Sequence, residues 1–387
     1  MKRWITGFVV LSLVAVENAC GSVEYTVTDL GNLPDGMASI AYGINNNGQV
    51  AGDAQTSKSL QQAFLYSGGA MQSLGTLPGG NQSWAYGINN NGQVVGYSFV
   101  DPYSSNPHAF IYSNGAMQDL GTLPGGSSSW AYGINNKGQV VGNSYSNPRN
   151  TDAGLSEGPF AFLYSNGVMQ DLGTLPGGSS SYAYGINNKG QVTGWSETYG
   201  PNGENTAAHA FLYSGGVMQD LGTLGGQSSF ATGINDDGNV VGGAYTSGNA
   251  TFQAFLYSNG VMQDLGTLGG PDSNSQGINN RGQVVGYADT SISDIYGNFV
   301  SHAFLYSGGS MLDLNSLIPS NSGWTLVEAT DINDNGQICG YGINSSGQTD
   351  AFLLTPTVPE PSALIVWSLI GSLGIALGWR RKRKRAA

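Results

Sequence analysis

Seven copies of one sequence unit fill this chain, and no other feature constrains its fold as strongly. At one position of the unit, six copies read Gly-Ile-Asn and one reads Asp-Ile-Asn, starting at Gly43, Gly87, Gly133, Gly185, Gly233, Gly277 and Asp331. The pair Ala-Phe also begins seven times, at Ala63, Ala109, Ala161, Ala210, Ala254, Ala303 and Ala351. The copies are spaced by roughly 44 to 54 residues, which is long enough for one four-stranded unit.

Two turns in each unit predict two β-hairpins. In the copy at residues 119–164, the segments AYGIN and QVVGN flank a turn that ends at Gly138, where glycine supplies a positive φ. The segments AFLYS and VMQDL flank Asn166-Gly167, and Asn-Gly between alternating apolar residues is a strong hairpin signal. Because the body shows no helical periodicity, seven sets of four short strands predict an all-β, seven-bladed β-propeller with AYGIN as the inner strand.

The two ends of the body predict that the propeller closes. Residues 24–31 match the fourth strand of the unit, whereas residues 351–355 match the third, so the chain begins with the strand that its end lacks. Pairing of the N-terminal strand with the last blade would remove the exposed sheet edges. An open β-solenoid is the alternative, since Gly-rich repeats with short strands also stack linearly. The matched ends favour the ring.

Composition limits the partners of the body. The chain has 61 glycines, 20 tyrosines and a charged fraction of 10%, which suits short strands joined by turns. Its net charge is −12, although a basic run lies near the C-terminus, so the body itself is strongly acidic. Such a body should repel nucleic acid and can attract cations.

Both ends of the chain have the features of targeting signals, which we call the address segments. Residues 1–21 have the basic start, apolar run and small residues of a secretory signal peptide. Residues 363–379 form an uncharged apolar stretch of about the minimum length for a transmembrane helix. Six basic residues then act as a membrane stop: Arg380, Arg381, Lys382, Arg383, Lys384 and Arg385. By the positive-inside rule the repeat body, residues 22–356, lies on the far side of the membrane.

The C-terminal segment 357–387 resembles the PEP-CTERM sorting signal of Gram-negative bacteria. The resemblance consists of a short motif, one apolar span and an Arg-rich tail in that order, and the motif is Val358, Pro359, Glu360 and Pro361. It implies recognition by an exosortase-type processing enzyme, cleavage near the motif and release to the cell surface or extracellular matrix. A plain membrane anchor is the alternative, and membrane attachment would be transient only if cleavage occurs.

The repeats resemble the extracellular HAF-type repeat, named for His-Ala-Phe. This chain keeps that tripeptide at His108, His209 and His302, whereas the other copies replace the histidine. The resemblance covers nearly the whole body, implies an exported repeat protein and supplies no catalytic residue. The three histidines occupy one repeat position in alternate blades, so we expect them to pack or form hydrogen bonds at strand starts and not to share a metal ion.

Nothing in the repeats predicts catalysis, and we expect that the protein is not an enzyme. An aspartate recurs in the fourth strand of six blades, at Asp29, Asp119, Asp171, Asp220, Asp264 and Asp313. A residue repeated in this way is expected to form the same structural tie in each blade. A cluster of non-repeated polar residues at the mouth of the channel would separate an enzyme from a scaffold.

Calcium is the one cofactor that the sequence suggests. Asp331, Asn333 and Asn335 match the first half of an oxygen-rich calcium loop, but position twelve is Gly342, which excludes an EF-hand. A polar hairpin turn is the alternative explanation. Cys339 replaces a valine of other copies and is expected to be a small buried apolar residue.

The connections between second and third strands vary most, including residues 143–160 and 288–302. They should emerge on one face together with the PGG and LGG segments, which we interpret as turns between blades. We therefore expect an exported structural or adhesive protein of the cell surface or matrix. A carbohydrate- or protein-binding propeller that uses this variable face is the first alternative, and a glycan lyase or hydrolase is the second.

Overall fold

A computed structural model describes residues 24–58, 60–103, 106–146, 158–199 and 206–357. These residues form seven four-stranded antiparallel sheets. The innermost strand of each sheet contacts the innermost strands of its two neighbours, and this cycle of contacts closes on itself. The protein is therefore a seven-bladed β-propeller, as the repeats predict.

The strands run from the axis outward within each blade, except that β1 (Tyr25–Asp29) comes first in the chain and lies in blade 7. Blades 1 to 3 contain β2 (Ser39–Ile44), β3 (Val50–Gln55), β4 (Gln61–Ser67), β5 (Ala70–Gly75), β6 (Ser83–Ile88), β7 (Val94–Phe99), β8 (Pro107–Ser113), β9 (Ala116–Asp119), β10 (Ser129–Ile134), β11 (Val140–Tyr145), β12 (Pro159–Ser165) and β13 (Val168–Asp171). Blades 4 and 5 contain β14 (Ser181–Ile186), β15 (Val192–Tyr199), β16 (Thr206–Ser214), β17 (Val217–Asp220), β18 (Gly225–Ile234), β19 (Val240–Thr246), β20 (Phe252–Ser258) and β21 (Val261–Asp264). Blades 6 and 7 contain β22 (Gly269–Ile278), β23 (Val284–Ser293), β24 (Phe299–Ser307), β25 (Ser310–Asp313), β26 (Thr325–Ile332), β27 (Ile338–Ile343) and β28 (Thr349–Pro356). Short 3-10 helices occupy Ser247–Asn249 and Leu314–Ser316.

The N-terminal strand closes the ring. Strand β1 pairs antiparallel with β28, from Tyr25 opposite Pro356 to Asp29 opposite Phe352, and it forms the outer strand of blade 7. Tyr25 is buried in the apolar cluster of that blade. The predicted closure is confirmed, and the open solenoid is excluded.

The Ala-Phe pair joins neighbouring blades. Adjacent residues of a strand point to opposite faces of its sheet. Phe162 of blade 3 is fully buried against Val95 and Ala109 of blade 2, whereas the preceding Ala161 packs on the other side against Phe211 of blade 4. A large side chain of one blade thus meets a small one of the next, which fills the space between two twisted sheets without a void.

The turns follow the predicted chemistry. Asn166 and Gly167 both have positive φ, 53° and 84°, as a two-residue hairpin turn requires. The glycine that recurs in the second strand of each unit is required by close backbone packing. A Cβ on Gly142 would lie 1.8 Å from the carbonyl oxygen of Trp130, beside a β-bulge of the inner strand. The LGG segments differ from our expectation, because Gly225 and Gly269 begin the inner strands β18 and β22 instead of forming separate turns.

Seven buried asparagines connect the blades at the axis. Each lies in the turn after an inner strand, and its side-chain amide donates a hydrogen bond of 2.9–3.1 Å to the backbone carbonyl of the equivalent asparagine in the next blade. The bonds run in one direction around the ring, and the last returns to the first: Asn45, Asn89, Asn135, Asn187, Asn235, Asn279 and Asn333. We call these residues the asparagine ring.

A second ring lies one residue further along each turn. Here each backbone N–H donates to the side-chain oxygen of the equivalent residue in the next blade, at 2.8–2.9 Å. Its members are Asn46, Asn90, Asn136, Asn188, Asp236, Asn280 and Asp334. The two rings contribute fourteen inter-blade hydrogen bonds at one end of the axis and fix the positions of the inner strands.

We expect that Asn135→Ala lowers the free energy of unfolding by about 3 kcal/mol, because it removes several hydrogen bonds from a buried site. The side chain of Asn135 accepts from the N–H groups of Lys137 and Gln139, both at 3.0 Å, and donates to the Asn187 carbonyl at 3.0 Å. Urea unfolding of the full chain measures the change.

Asn344→Ala is the matched control. Asn344 accepts equivalent bonds within its own turn, from the N–H groups of Ser346 and Gln348, but its amide stays within blade 7 and bonds Asp350. Its loss should lower the free energy of unfolding by about 1 kcal/mol. Equal losses in the two variants would contradict the role of the ring.

Candidate functional site

The opposite end of the axis opens into a funnel of about 490 Å³. The inner strands begin at this end and run towards the asparagine ring, so the funnel lies on the face that carries the connections between second and third strands. Its wall is formed by Ile40, Tyr42, Tyr86, Tyr132, Tyr184, Thr232, Gln276, Glu328, Thr330 and Tyr341. All seven blades contribute to it.

Four tyrosines from blades 1 to 4 form one half of the wall. Tyr42, Tyr86, Tyr132 and Tyr184 occupy the same position of their inner strands, two residues before the terminal isoleucine. Their ring centroids are separated successively by 4.7, 5.2 and 4.9 Å, with tilted or edge-on geometries that favour contact between aromatic rings. The result is a continuous aromatic arc around half of the axis.

The other half of the wall is polar and differs from blade to blade. Thr232, Gln276 and Thr330 replace the tyrosine in blades 5 to 7. Glu328 accepts a hydrogen bond of 2.9 Å from the hydroxyl of Tyr341 and one of 2.7 Å from the amide of Gln276. The aligned positions of Glu328 in the other blades are Ile40, Trp84, Trp130, Tyr182, Phe230 and Asn274. This carboxylate is therefore not part of the repeat.

A second non-repeated carboxylate lies behind the aromatic arc. Asp53 of β3 is 2% exposed and accepts a hydrogen bond from Tyr42. Its Oδ1 has no hydrogen-bond partner among the described residues. The same strand position holds Tyr97 in blade 2 and Trp195 in blade 4, so blade 1 alone places an acid here among the described blades.

Burial dominates the electrostatics of the funnel. It raises the pKa of Asp53 to about 7, although the hydrogen bond from Tyr42 acts in the opposite direction. It also raises the pKa of Glu328 above its ordinary value, against the two hydrogen bonds that this carboxylate accepts. Burial also raises the pKa of Tyr42, Tyr86 and Tyr132 above the ordinary value of a tyrosine.

Sequence reasoning missed these residues. It identified the segment AYGIN as an inner strand but treated its tyrosine as part of the repeat. The signal was the loss of that tyrosine in three copies, which read ATGIN, SQGIN and ATDIN. Gln276 and Glu328 are non-repeated polar residues at the channel mouth, and Tyr341 joins them from a strand position that is also tyrosine in blades 2 and 6. Such a cluster is the feature expected to separate an enzyme from a scaffold.

The three histidines pair with the recurring aspartates. In each case Nδ1 lies 2.8 Å from the Oδ2 of the aspartate on the neighbouring outer strand: His108 with Asp119, His209 with Asp220, and His302 with Asp313. The hydrogen bond with the aspartate raises the pKa of His108 and of His209. The histidines are thus separated by whole blades, and their expected hydrogen-bonding role is confirmed.

The recurring aspartates also tie the turns that follow them. Each accepts a hydrogen bond of 2.7–2.8 Å from the backbone N–H two residues later. The members are Asp29, Asp119, Asp171, Asp220, Asp264 and Asp313, and Ser73 takes the equivalent place in blade 1. The expected structural role is confirmed, because each aspartate bonds a backbone amide at the start of the connection to the next blade.

The three predicted calcium ligands lie at the far end of the axis, where Asn333 is a member of the asparagine ring and Asp331 and Asn335 flank it. The Asp331 carboxylate accepts from the N–H groups of Ile44 and Ile332, at 3.0 and 2.8 Å. The Asn333 oxygen accepts from two N–H groups of its own turn, and the Asn335 amide donates to the Asn46 carbonyl. Among the described residues, no group of three or more His, Cys, Asp or Glu is placed to hold a metal ion. Calcium binding stays a prediction.

The remaining sequence predictions divide between the body and the ends. Cys339 is a fully buried free thiol, as expected. The signal peptide, the sorting motif from Val358 to Pro361, the span 363–379 and the basic run 380–385 lie outside the described residues. Within the described part of the chain, no helix is long and apolar enough to cross a membrane.

The variable face differs in part from its predicted form. In blade 6 the predicted loop 288–302 is mostly paired strand, because β23 extends to Ser293 and β24 begins at Phe299 around a turn held by Asp294. In blade 3 residues 147–157 lie outside the described ranges. Exposed aromatic residues occur on this face, including Tyr103, Tyr199 and Tyr296.

A family model described as "Protein of unknown function (DUF3466)" matches residues 78–175 and 217–358, which is more than half of the chain. A search of curated proteins found no sequence that matches this chain.

Several solved structures resemble the fold. The β-propeller domain of the Trilobed protease from Pyrococcus furiosus is 10% identical with a TM-score of 0.47, over 70% of this chain and 80% of that one. The Aleuria aurantia lectin is 10% identical with a TM-score of 0.37, over 86% and 99% of the two chains. The Trypanosoma rangeli sialidase is 11% identical with a TM-score of 0.39, over 77% of this chain and 58% of that one. These likenesses carry no functional argument.

Stability should fall as the pH rises from about 4 to about 7. In the unfolded chain Asp53 loses its proton near its ordinary pKa of about 4, whereas the folded protein retains it up to about 7, so over this range the unfolded state binds fewer protons. Glu328 contributes in the same direction. Thermal unfolding of the full chain at pH 5 and pH 7.5 measures the difference.

Asp53→Asn should make this dependence shallower, because it removes one of the retained protons. Asp101→Asn, in an exposed connection of blade 2, is the control and should keep the dependence of the parent chain. An unchanged dependence in Asp53→Asn would contradict the assignment to Asp53.

Proposed function

This chain belongs to the DUF3466 family of proteins of unknown function, and from its own structure we propose that it is an exported surface propeller that binds a glycan in the axial funnel. The carrying observation is the break in the repeat at the funnel wall. Four tyrosines face a polar half that contains Gln276, Glu328 and Tyr341, although the rings at the other end of the axis remain regular.

A regular scaffold has no structural need for this asymmetry. The asparagine ring and the Ala-Phe packing occupy equivalent positions in all seven blades, because each makes the same contact everywhere. The funnel residues face the cavity, and their bonds to the next blade are made by side chains that differ from blade to blade, such as Thr232 to the Ser275 carbonyl and Gln276 to Glu328. Blade-specific side chains around a cavity are typical of a binding site.

The chemistry of the wall suits sugars. Aromatic side chains present an apolar surface together with a polar hydroxyl group, and sugar rings offer C–H faces and hydroxyl groups to match. Thr232 and Thr330 donate their hydroxyl protons to backbone carbonyls and can still accept hydrogen bonds through their oxygens, and the Gln276 amide bonds Glu328. A volume of about 490 Å³ lies within the range of sites that hold small ligands. Binding of an extracellular polysaccharide would also provide the structural or adhesive role expected from the repeats.

We further propose that the protein is exported and processed as the sequence signals imply, as a substrate of an exosortase-type system. Support comes from the two ends of the body, which lie side by side: the N–H of Thr357 donates to the carbonyl of Glu24 at 2.8 Å. Both address segments would then leave the propeller at one edge of blade 7, where removal of either leaves the axial funnel untouched.

Mass spectrometry of the mature protein from its native host tests the processing. We expect a C-terminus close to Pro361 and a loss of the basic run 380–385. A mature chain that retains Arg380 to Arg385 would contradict processing and leave the membrane-anchor alternative.

A glycan lyase or hydrolase is the second candidate, favoured by the single observation of Glu328 with its raised pKa next to a tyrosine hydroxyl. General acid catalysis needs such a group. Against hydrolysis, most glycosidases use two carboxyl groups that flank the bond. Glu328 is the one carboxylate among the residues that line the funnel.

Glycan binding is tested with the full chain on a glycan array, followed by calorimetry with the strongest ligand. We expect that Tyr86→Ala and Tyr132→Ala weaken binding by roughly tenfold or more, since stacking on an aromatic ring contributes on the order of 1 kcal/mol or more per ring. Tyr103→Ala, which removes a 97% exposed tyrosine outside the funnel, should leave affinity unchanged.

Absence of glycan binding would overturn the proposed function, and equal losses in all three variants would place the site outside the funnel. Chromatography of the glycan after incubation separates binding from catalysis. Shortened products that disappear in Glu328→Gln would favour the second candidate.

A further inference from the structure

The charge of the funnel limits which glycans it can hold. None of its lining residues is Lys, Arg or His, and one is an acid, Glu328. Of the described lysines and arginine, Lys137, Lys189 and Arg281 lie in the turns that follow the inner strands, at the opposite end of the axis. Lys58 lies in the connection between β3 and β4, on the face of the funnel but not among its lining residues. A ligand with carboxylate or sulfate groups would therefore meet only like charge in the funnel.

Glu328 lacks a positive partner within the wall. Its two oxygens accept hydrogen bonds from neutral donors, the Tyr341 hydroxyl and the Gln276 amide. The carboxylate still lines the cavity. A partly buried carboxylate is unfavourable in its charged form unless an opposite charge lies close by. A positive group on the ligand would provide that charge.

The aromatic arc attracts the same kind of group. The negative face of an aromatic ring binds ammonium cations, and several rings around one cavity recognise them more strongly. Tyr42, Tyr86, Tyr132 and Tyr184 form such a set, with successive centroid separations of 4.7–5.2 Å.

From these observations we infer that the glycan bound in the funnel contains an unacetylated amino sugar, whose ammonium group lies between Glu328 and the aromatic arc. The inference rests on the proposed glycan-binding function and specifies its ligand. A neutral hydroxyl or an N-acetyl group at the same place would leave Glu328 without an opposite charge. The funnel would thus select amino sugars over their acetylated counterparts.

The test compares three oligomers of equal length with the full chain by calorimetry: a fully deacetylated glucosamine oligomer, its fully acetylated form and a neutral glucose oligomer. We expect the deacetylated oligomer to bind roughly tenfold or more tightly than either of the others. Choline should compete with it, whereas the uncharged isostere 3,3-dimethylbutanol should not. These comparisons need no variant protein.

Glu328→Gln removes the charge and keeps the size of the side chain. The preference for the deacetylated oligomer, measured as the ratio of its affinity to that of the neutral oligomer in the same variant, should fall by roughly tenfold. Glu197→Gln is the matched control, because Glu197 lies in β15 and bonds Ser179 outside the funnel wall. Unfolding temperatures check that both variants are folded.

The outcomes separate the two proposals. Binding of all three oligomers with equal affinity would overturn the inference and retain glycan binding. Binding of none of them, together with a blank glycan array, would overturn the proposed function itself. A preference that survives in Glu328→Gln would place the ammonium group elsewhere and would also overturn the inference.

Discussion

The asparagine ring is the constraint on which the rest of the molecule depends. The side-chain oxygen of each member accepts from two backbone N–H groups of its own turn, and the second of these belongs to the glutamine or asparagine that ends the turn. Its amide donates to the backbone carbonyl of the equivalent asparagine in the next blade. One side chain thus links local structure to the assembly of the whole. Because the bonds run in one direction and close on themselves, every blade is both donor and acceptor, and none can shift along the axis without breaking two of them. The inner strands that end at this ring are therefore held in fixed positions.

That constraint explains where the sequence is free to vary. Residues in the rings and between blades serve the same contact seven times, so they repeat. The position three residues before each ring asparagine, occupied by Tyr42 in blade 1 and Thr232 in blade 5, faces the channel. A tyrosine there contacts the tyrosine of the next blade through its ring, whereas Thr232 bonds a backbone carbonyl of the next blade, so variation changes the ligand surface while each blade stays linked to its neighbour. The regular end of the axis provides rigidity, and the irregular end provides recognition.

Much of this could be predicted from the sequence because it depends on local turn chemistry and on counting. Asn-Gly pairs, a seven-fold period and matched end strands determine the hairpins, the number of blades and the closure. The funnel could not be found in this way, since it combines side chains that are far apart in the chain. Gln276 and Glu328 are separated by 52 residues and meet only through the radial arrangement of neighbouring blades.

The turn at Asp331 shows a further limit, because its oxygens could serve an ion or backbone amides, and composition alone does not distinguish the two. In the structure the Asp331 carboxylate accepts from the N–H of Ile44, across the join between the last blade and the first.

The pairing of β1 with β28 also determines the order of events when the protein is made. Thr26 and Thr355 are 329 residues apart, so β1 is synthesised first and its partner β28 is synthesised last. Closing so long a loop is entropically unfavourable, and it comes after the locally connected hairpins of blades 1 to 6 can form. Until then β28 has an open edge that could pair with another chain. A chain that crosses a membrane as a thread before folding would meet this requirement naturally, since both ends reach the same compartment before blade 7 is completed.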